Sequence, residues 1–278
     1  SEIGYKLSAK RDNGIEFTER LRKYHDHSGY IHAVMCPLTA QWSSKFVELG
    51  MYAAGLNADG LAYEQIGFGG VAGYCFDTSH GHSNPAMVMG PGILRNIKAI
   101  RAKVKELDGD FCLAAEGLND SISQYVDLTY GSGEGCKCDP NSFPEMFRYT
   151  FPEVVFTNQH SSPYMDYTQA NFALVNGLRF DIECRYHPDA KLLAGHTRPT
   201  KGDYANILQP PENIGMLIGD SVEQYGAYLK TLCEVRNRYP VLLTGRFVDT
   251  DRFKIDNDQV EAKAFVGDAE LAVVVWNH

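Results

Sequence analysis

The chain has 278 residues, a formal net charge of −9 and 44% hydrophobic residues. Lysine and arginine are scattered rather than clustered, which argues against a nucleic-acid partner, and no run approaches the ~18 consecutive apolar residues of a membrane helix. The apolar and aromatic content argues against disorder, and the length suits one large α/β domain or two smaller ones.

The N-terminus, SEIGYKLSAKRDNGIEF, lacks the apolar core of a signal peptide. It sets no localisation, and both a cytoplasmic protein and one exported after processing fit. A helix is expected from Ile15 to Tyr24, where apolar residues fall among charges. GYIHAVMCP reads as a short buried strand ended by Pro37. The next segment, SSKFVELGMYAAGL, reads as a helix with Ser43 or Ser44 as N-cap and Gly55 near its end. DGLAYEQIG is a strand that runs into the glycine-rich GFGGVAGY, and GPGILRNIKAIRAKVKEL is an amphipathic helix with Pro91 in its first turn. GDFCLAAEG is a strand, and NDSISQYVDLT a short helix capped by Asn119 or Asp120. FPEVVFTN (strand), YTQANFALVNG (helix) and LRFDIEC (strand) follow. A long helix runs from Ser221 to Arg238, and YPVLLTG is a last apolar segment.

Strand and helix thus alternate about six times, and the strands are nearly all apolar, as in a parallel sheet covered on both faces. Polar residues gather where the strands end: Glu64 and Gln65, Glu116, Asn158 and Gln159, and Glu183. A closed barrel places its site at many strand ends, whereas an open sheet uses a single switch point. The expected fold is therefore α/β, a (β/α)8 TIM barrel over residues 1–247 that supplies only six or so C-terminal strands. From residue 248 the pattern turns to period 2 with a turn at VGDAE. Residues 248–278 read as a hairpin that begins an antiparallel β-sandwich. Another chain or a further segment is expected to complete the barrel.

Of the seven cysteines, Cys36, Cys112, Cys184 and Cys233 sit in apolar surroundings and read as small buried hydrophobes. Cys136 and Cys138 lie in GSGEGCKCDPNS, a polar loop. The stretch GYCFDTSHGHSN offers Cys75, Asp77, His80 and His82, and HDH offers His25 and His27, all residue types that suit zinc. But the His-Gly-His pair lies in a loop with no strand before it and no clear third histidine beside it. The expectation is therefore no metal and no cofactor, with the loop either orienting a ligand or bracing the chain around Glu64.

Glu64 and Glu116 end two successive strands. Carboxyls on neighbouring strand ends can reach the ~5–10 Å separation that glycoside hydrolysis needs, one as nucleophile or base and the other as general acid. Tyr63, Gln65, Asp77, His80, His82 and Trp42 can hydrogen-bond hydroxyls or stack on a sugar ring. Arg148, Tyr149, His160 and Glu183 with Arg185 are expected at later strand ends or loops.

HAVMCPLTAQWSSKFVELGMYAAGLNADGLAYEQIG, then CFDTSHGHSNP, then LAAEGLNDSISQYVD, resembles a group of large bacterial glycoside-hydrolase-like proteins of poorly defined activity. They carry β-sandwiches before and after a TIM barrel. The match lies at Cys36-Pro37, Asp59-Gly60, Gln65, Cys75, Asp77, His80-Gly81-His82 and Glu116, and FRYTFPE is similar too. It covers residues 30–160 well and the remainder loosely. The layout also resembles that of endo-α-N-acetylgalactosaminidases. By position, that resemblance implies Glu64 as nucleophile and Glu116 as acid/base. The family commonly has Asp where this chain has Glu64. Three readings follow: a glycoside hydrolase, retaining, acting on a carbohydrate substrate; a metal-dependent barrel hydrolase using the His80/His82 loop; or a barrel or fragment that binds glycans without cutting them.

Overall fold

The computed structural model describes residues 2–20, 31–68, 73–130, 143–158, 167–181, 222–251 and 253–277. The chain divides into two compact units, Ser1–Thr129 and Tyr130–His278.

The first unit opens with a short helix, α1 (Glu2–Leu7), and a small antiparallel ladder of β1 (Thr18–Arg20) and β2 (Ile31–Ala33). Here the structure departs from the expected helix at Ile15–Tyr24: residues up to Arg20 are extended, and residues 21–24 lie outside the described ones. The cause is a turn. Arg11 N–H donates to Ile15 O at 2.8 Å and Gly14 takes φ +79°, so Asp12-Asn13-Gly14 reverses the chain as such tripeptides do. Ala9 and Phe17 then share backbone bonds with Val34. GYIHAVMCP is a strand as expected, but it runs antiparallel in this ladder and outside the parallel sheet.

α2 (Ala40–Ala54) has Thr39 as N-cap, four residues ahead of Ser43 and five ahead of Ser44. Ser43 instead sits inside the helix and donates to Asn96 Oδ1, while Asn96 Nδ2 donates to Pro37 O at 3.2 Å. β3 (Gly60–Tyr63), α3 (Met89–Leu107) and β4 (Cys112–Glu116) follow. β3 and β4 are parallel, with Leu61 opposite Leu113 and Tyr63 opposite Ala115. Leu61, Tyr63 and Leu113 pack with Ile100, Val104 and Phe46, and Ala115 packs with Ile93 and Ile97. The helices therefore cover this face, and strand alternation turns Ala62, Ala114 and Glu116 to the other.

The expected helix over NDSISQYVDLT is a 3-10 turn (Ser123–Tyr125) followed by β5 (Leu128–Tyr130). Asn119 does cap the turn, accepting from Ser121 N–H and Ile122 N–H at 3.0 Å each. Asp127 breaks the helical reading by accepting from Leu113 N–H at 2.9 Å and pairing with Arg101 and Lys105.

The second unit contains α4 (Pro144–Thr150), β6 (Val155–Asn158), α5 (Tyr167–Val175), β7 (Arg179–Phe180), α6 (Val222–Arg238) and α7 (Val241–Thr244). β6 and β7 are parallel. The hairpin of β9 (Val260–Val266) and β10 (Leu271–Asn277) forms as expected, and β8 (Arg246–Asp249) adds a third antiparallel strand with an irregularity between Phe247 and Asp249. Lys263, 8% exposed, is neutralised by Glu145 and Asp249, each at 2.6 Å. A buried ammonium needs such partners to be tolerated.

Parallel pairing joins β3 to β4 in the first unit and β6 to β7 in the second. Among the described residues, one expected strand of the parallel sheet, GYIHAVMCP, belongs instead to the ladder, and β5 is a strand where a helix was expected. Among the described residues, no helix is long and apolar enough to cross a membrane.

Candidate active site

Tyr63 pairs with Ala115 in the β3–β4 register; Glu116 then ends β4, while Glu64 is the first residue of the turn after β3. Both stand at the C-terminal edge of this pair of parallel strands, and alternation along β4 turns Glu116 away from the helix-covered face. Glu64 is exposed and Glu116 half-buried.

The chain then makes a strained turn. Gln65 has φ +57°, a left-handed conformation that a residue with a side chain adopts rarely and at a cost of ~1–3 kcal/mol. That conformation aims Gln65 N–H at Glu116 Oε2, 2.7 Å away. Residues 66–68 continue as a 3-10 turn pressed onto the end of β4. A Cβ on Gly67 would meet Gly117 O at 2.0 Å and Glu116 O at 2.6 Å, so only glycine fits. Asn119 Nδ2 donates to Gly67 O at 2.9 Å, and Thr129 Oγ1 donates to Ala115 O at 3.0 Å. Glu116 is thus fixed by its own strand, by β5 and by the turn after Glu64.

The remaining expected residues fall in different places. Tyr63 is a correction. Its ring stacks on Phe46 of α2 at 4.6 Å between centroids and its hydroxyl is buried, so it belongs to the core between sheet and helices, where burial pushes its phenol above the usual range. Trp42 is half-buried on α2. Arg148 belongs to the second unit, in the last turn of α4 over the Phe247 ring. Burial, with Arg179 nearby, pulls its guanidinium down to about 10. Tyr149 is exposed and meets Phe247 edge-on. His160, Glu183 and Arg185 lie outside the described residues, as do the Asn158 side chain, Gln159, His25, His27, Cys136, Cys138 and Cys184.

The His-Gly-His loop is tied inward. Asp77 caps a 3-10 turn by accepting from Ser79 N–H, and Gly81 at φ +84° reverses the chain between the histidines. The bond from the Ser79 hydroxyl, with the Ser79 amide and the charge of His80 and Lys10, holds the Asp77 carboxyl below its ordinary range. His80 is buried: Nδ1 lies 3.4 Å from Cys75 Sγ, and Nε2 lies 3.0 Å from Lys6 O and 3.4 Å from Asp77 Oδ2. His82 Nε2 lies 3.5 Å from Cys36 Sγ. Of the two roles expected for this loop, the geometry of His80 is that of a brace. Cys36, expected only as a small hydrophobe, joins this group. No spacing rule ties it to Cys75; the ladder of residues 8–10, 16–20 and 31–35 brings the two together.

No family profile and no curated protein sequence matches the chain. Solved structures do. They include the noncanonic maltogenic α-amylase AmyB from Thermotoga neapolitana, with a TM-score of 0.54, 10% identity, and coverage of 99% of this chain and 60% of that one. The trehalose-6-phosphate hydrolase TreA from Bacillus licheniformis gives 0.54 at 12% identity, covering 97% and 68%. The α-N-acetylgalactosaminidase NagBb from Bifidobacterium bifidum gives 0.51 at 12% identity, covering 98% and 37%. The chain spans about three fifths of the length of the amylase. At such identities the likeness is one of fold: this chain shares the α/β architecture of these structures.

Proposed function

We propose that the chain carries the catalytic barrel of a glycoside hydrolase, with Glu64 and Glu116 as its carboxylate pair. The observation that supports this reading is that Glu116 ends β4 and Glu64 directly follows β3, its parallel neighbour. Strand ends at this edge are where barrel enzymes do chemistry, and the strained Gln65 between the two is the kind of feature that gathers at functional sites.

In this reading the mechanism is retaining. Glu64 attacks the anomeric carbon as the glycosidic bond breaks, while Glu116 gives its proton to the departing oxygen. Glu116 then takes a proton from water, which displaces Glu64 from the sugar. Gln65 N–H fixes one oxygen of Glu116 and so sets the direction in which the carboxyl faces. The partner is a carbohydrate. The same reading assigns residues 1–247 to the barrel and 248–278 to the start of a C-terminal β-sandwich.

The test is hydrolysis of a panel of α- and β-glycosides with poor leaving groups by wild type, Glu64→Gln and Glu116→Gln. At least one substrate is cleaved by wild type and by neither variant. Glycan binding with no turnover in wild type, or full turnover in either variant, refutes the assignment.

A further inference from the structure

We propose that Cys36, Cys75, His80 and His82 form a closed Cys2His2 site for a zinc ion, which clamps the His-Gly-His loop to the N-terminal ladder. One ligand atom from each of the four residues lies within 4.8 Å of all the others. With zinc–sulfur bonds of about 2.3 Å and zinc–nitrogen bonds of about 2.0–2.1 Å, a tetrahedron has S···N edges of about 3.6 Å. The Cys36 Sγ–His82 Nε2 and Cys75 Sγ–His80 Nδ1 distances are 3.5 Å and 3.4 Å.

The surroundings are those of a metal site. The Nε2 of His80 faces the Lys6 carbonyl at 3.0 Å. Donating there leaves the Nδ1 lone pair pointing at the cluster, as the outer partner of a ligating histidine does. Lys10 N–H donates to Cys75 Sγ at 3.4 Å, an outer partner for a ligating sulfur. His82 Nδ1 is buried without a hydrogen-bond partner among the described residues. Its Nε2, 3.5 Å from Cys36 Sγ, is the nitrogen that faces the cluster.

Two thiolates and two imidazoles suit zinc rather than a hard cation. Four protein ligands leave no open position, so the ion is structural. This separates the site from a metal-dependent hydrolase, in which the metal would hold water or substrate. It also commits His80 and His82 to the loop rather than to a sugar.

The test is metal analysis of the full chain, purified without a metal-affinity column, together with its cobalt-substituted spectrum. About one zinc per chain is expected, and cobalt should show thiolate charge-transfer and tetrahedral d–d bands whose intensity fits two thiolates. Cys36→Ser and Cys75→Ser should lose the metal, and Cys233→Ser should keep it. If the serine variants do not fold, the wild-type cobalt spectrum decides. A metal-free chain that takes up no cobalt, a Cys36–Cys75 disulfide in peptide mapping, or metal retained in the Cys36 and Cys75 variants each overturns the proposal.

Discussion

The rim that carries Glu64 and Glu116 and the cluster of Cys36, Cys75, His80 and His82 lie in the same unit, and they are built in opposite ways. At the rim, one carboxylate is exposed and the other half-buried, and the backbone around them is held by hydrogen bonds from Gln65, Asn119 and Thr129. In the cluster, both thiols are fully buried and His80 is 8% exposed. Burial above all pushes the Cys36 thiol up to about 11, and burial with the nearby His80 pulls His82 down. The rim presents reactive groups to whatever enters. The cluster turns its polar atoms on one another. Histidines that follow a candidate active-site residue in the sequence are therefore not by that fact part of its chemistry.

The contrast has consequences that can be ranked. The largest concerns catalysis: Glu116→Gln should lower hydrolysis of a poor-leaving-group glycoside by ~100-fold or more, the scale of a lost general acid. Activated aryl glycosides, which need little protonation, should suffer less. Steady-state kinetics on the two substrate types checks this.

Next comes the backbone that holds Glu116. Gly67→Ala forces a Cβ against Gly117 O, and the strand end must shift. A loss of ~1–3 kcal/mol is expected, with activity falling further than stability alone explains. Denaturant unfolding and kcat measured side by side separate the two effects. Asn119→Ala should cost less, about 1 kcal/mol, because it removes a cap and one tether. A thermal melt gives that figure.

The smallest effect is electrostatic. Burial raises the Asp127 carboxyl, but Leu113 N–H, Arg101 and Lys105 outweigh this and hold it below its ordinary range. The folded value being the lower one, its contribution is full above the unfolded value of about 3.9 and is lost as pH falls through the folded value. Asp127→Asn should lower Tm at neutral pH and flatten the acid limb of Tm against pH. An unchanged acid limb would show that other carboxylates set it.

Some of this was readable from residue types alone, and some was not. The strands ending in Glu64 and Glu116 announce themselves as apolar runs closed by an acid, and their order along the chain makes them neighbours. The hairpin of β9 and β10 shows in its alternation. By contrast, the charges among the apolar residues of Ile15–Tyr24 suggest a helix, whereas the turn at Asp12-Asn13-Gly14 sends the chain into an extended ladder up to Arg20. Tyr63 looked like a ligand group because it adjoins Glu64, yet alternation sends it to the opposite face. Cys36 carried no local sign at all. Its role depends on a ladder between segments far apart in sequence, and pairing of that kind is not written in any short motif.

The most direct measurement is covalent trapping with a 2-deoxy-2-fluoro glycosyl fluoride of whichever sugar the enzyme cleaves, followed by peptide mass mapping. The fluorine slows breakdown of the glycosyl-enzyme, and the fluoride leaving group needs no acid. The label should fall on Glu64 in wild type and in Glu116→Gln, and be absent from Glu64→Gln. A label on another carboxylate, or turnover with inversion of the anomeric centre and no label, would contradict the assignment of Glu64 and Glu116.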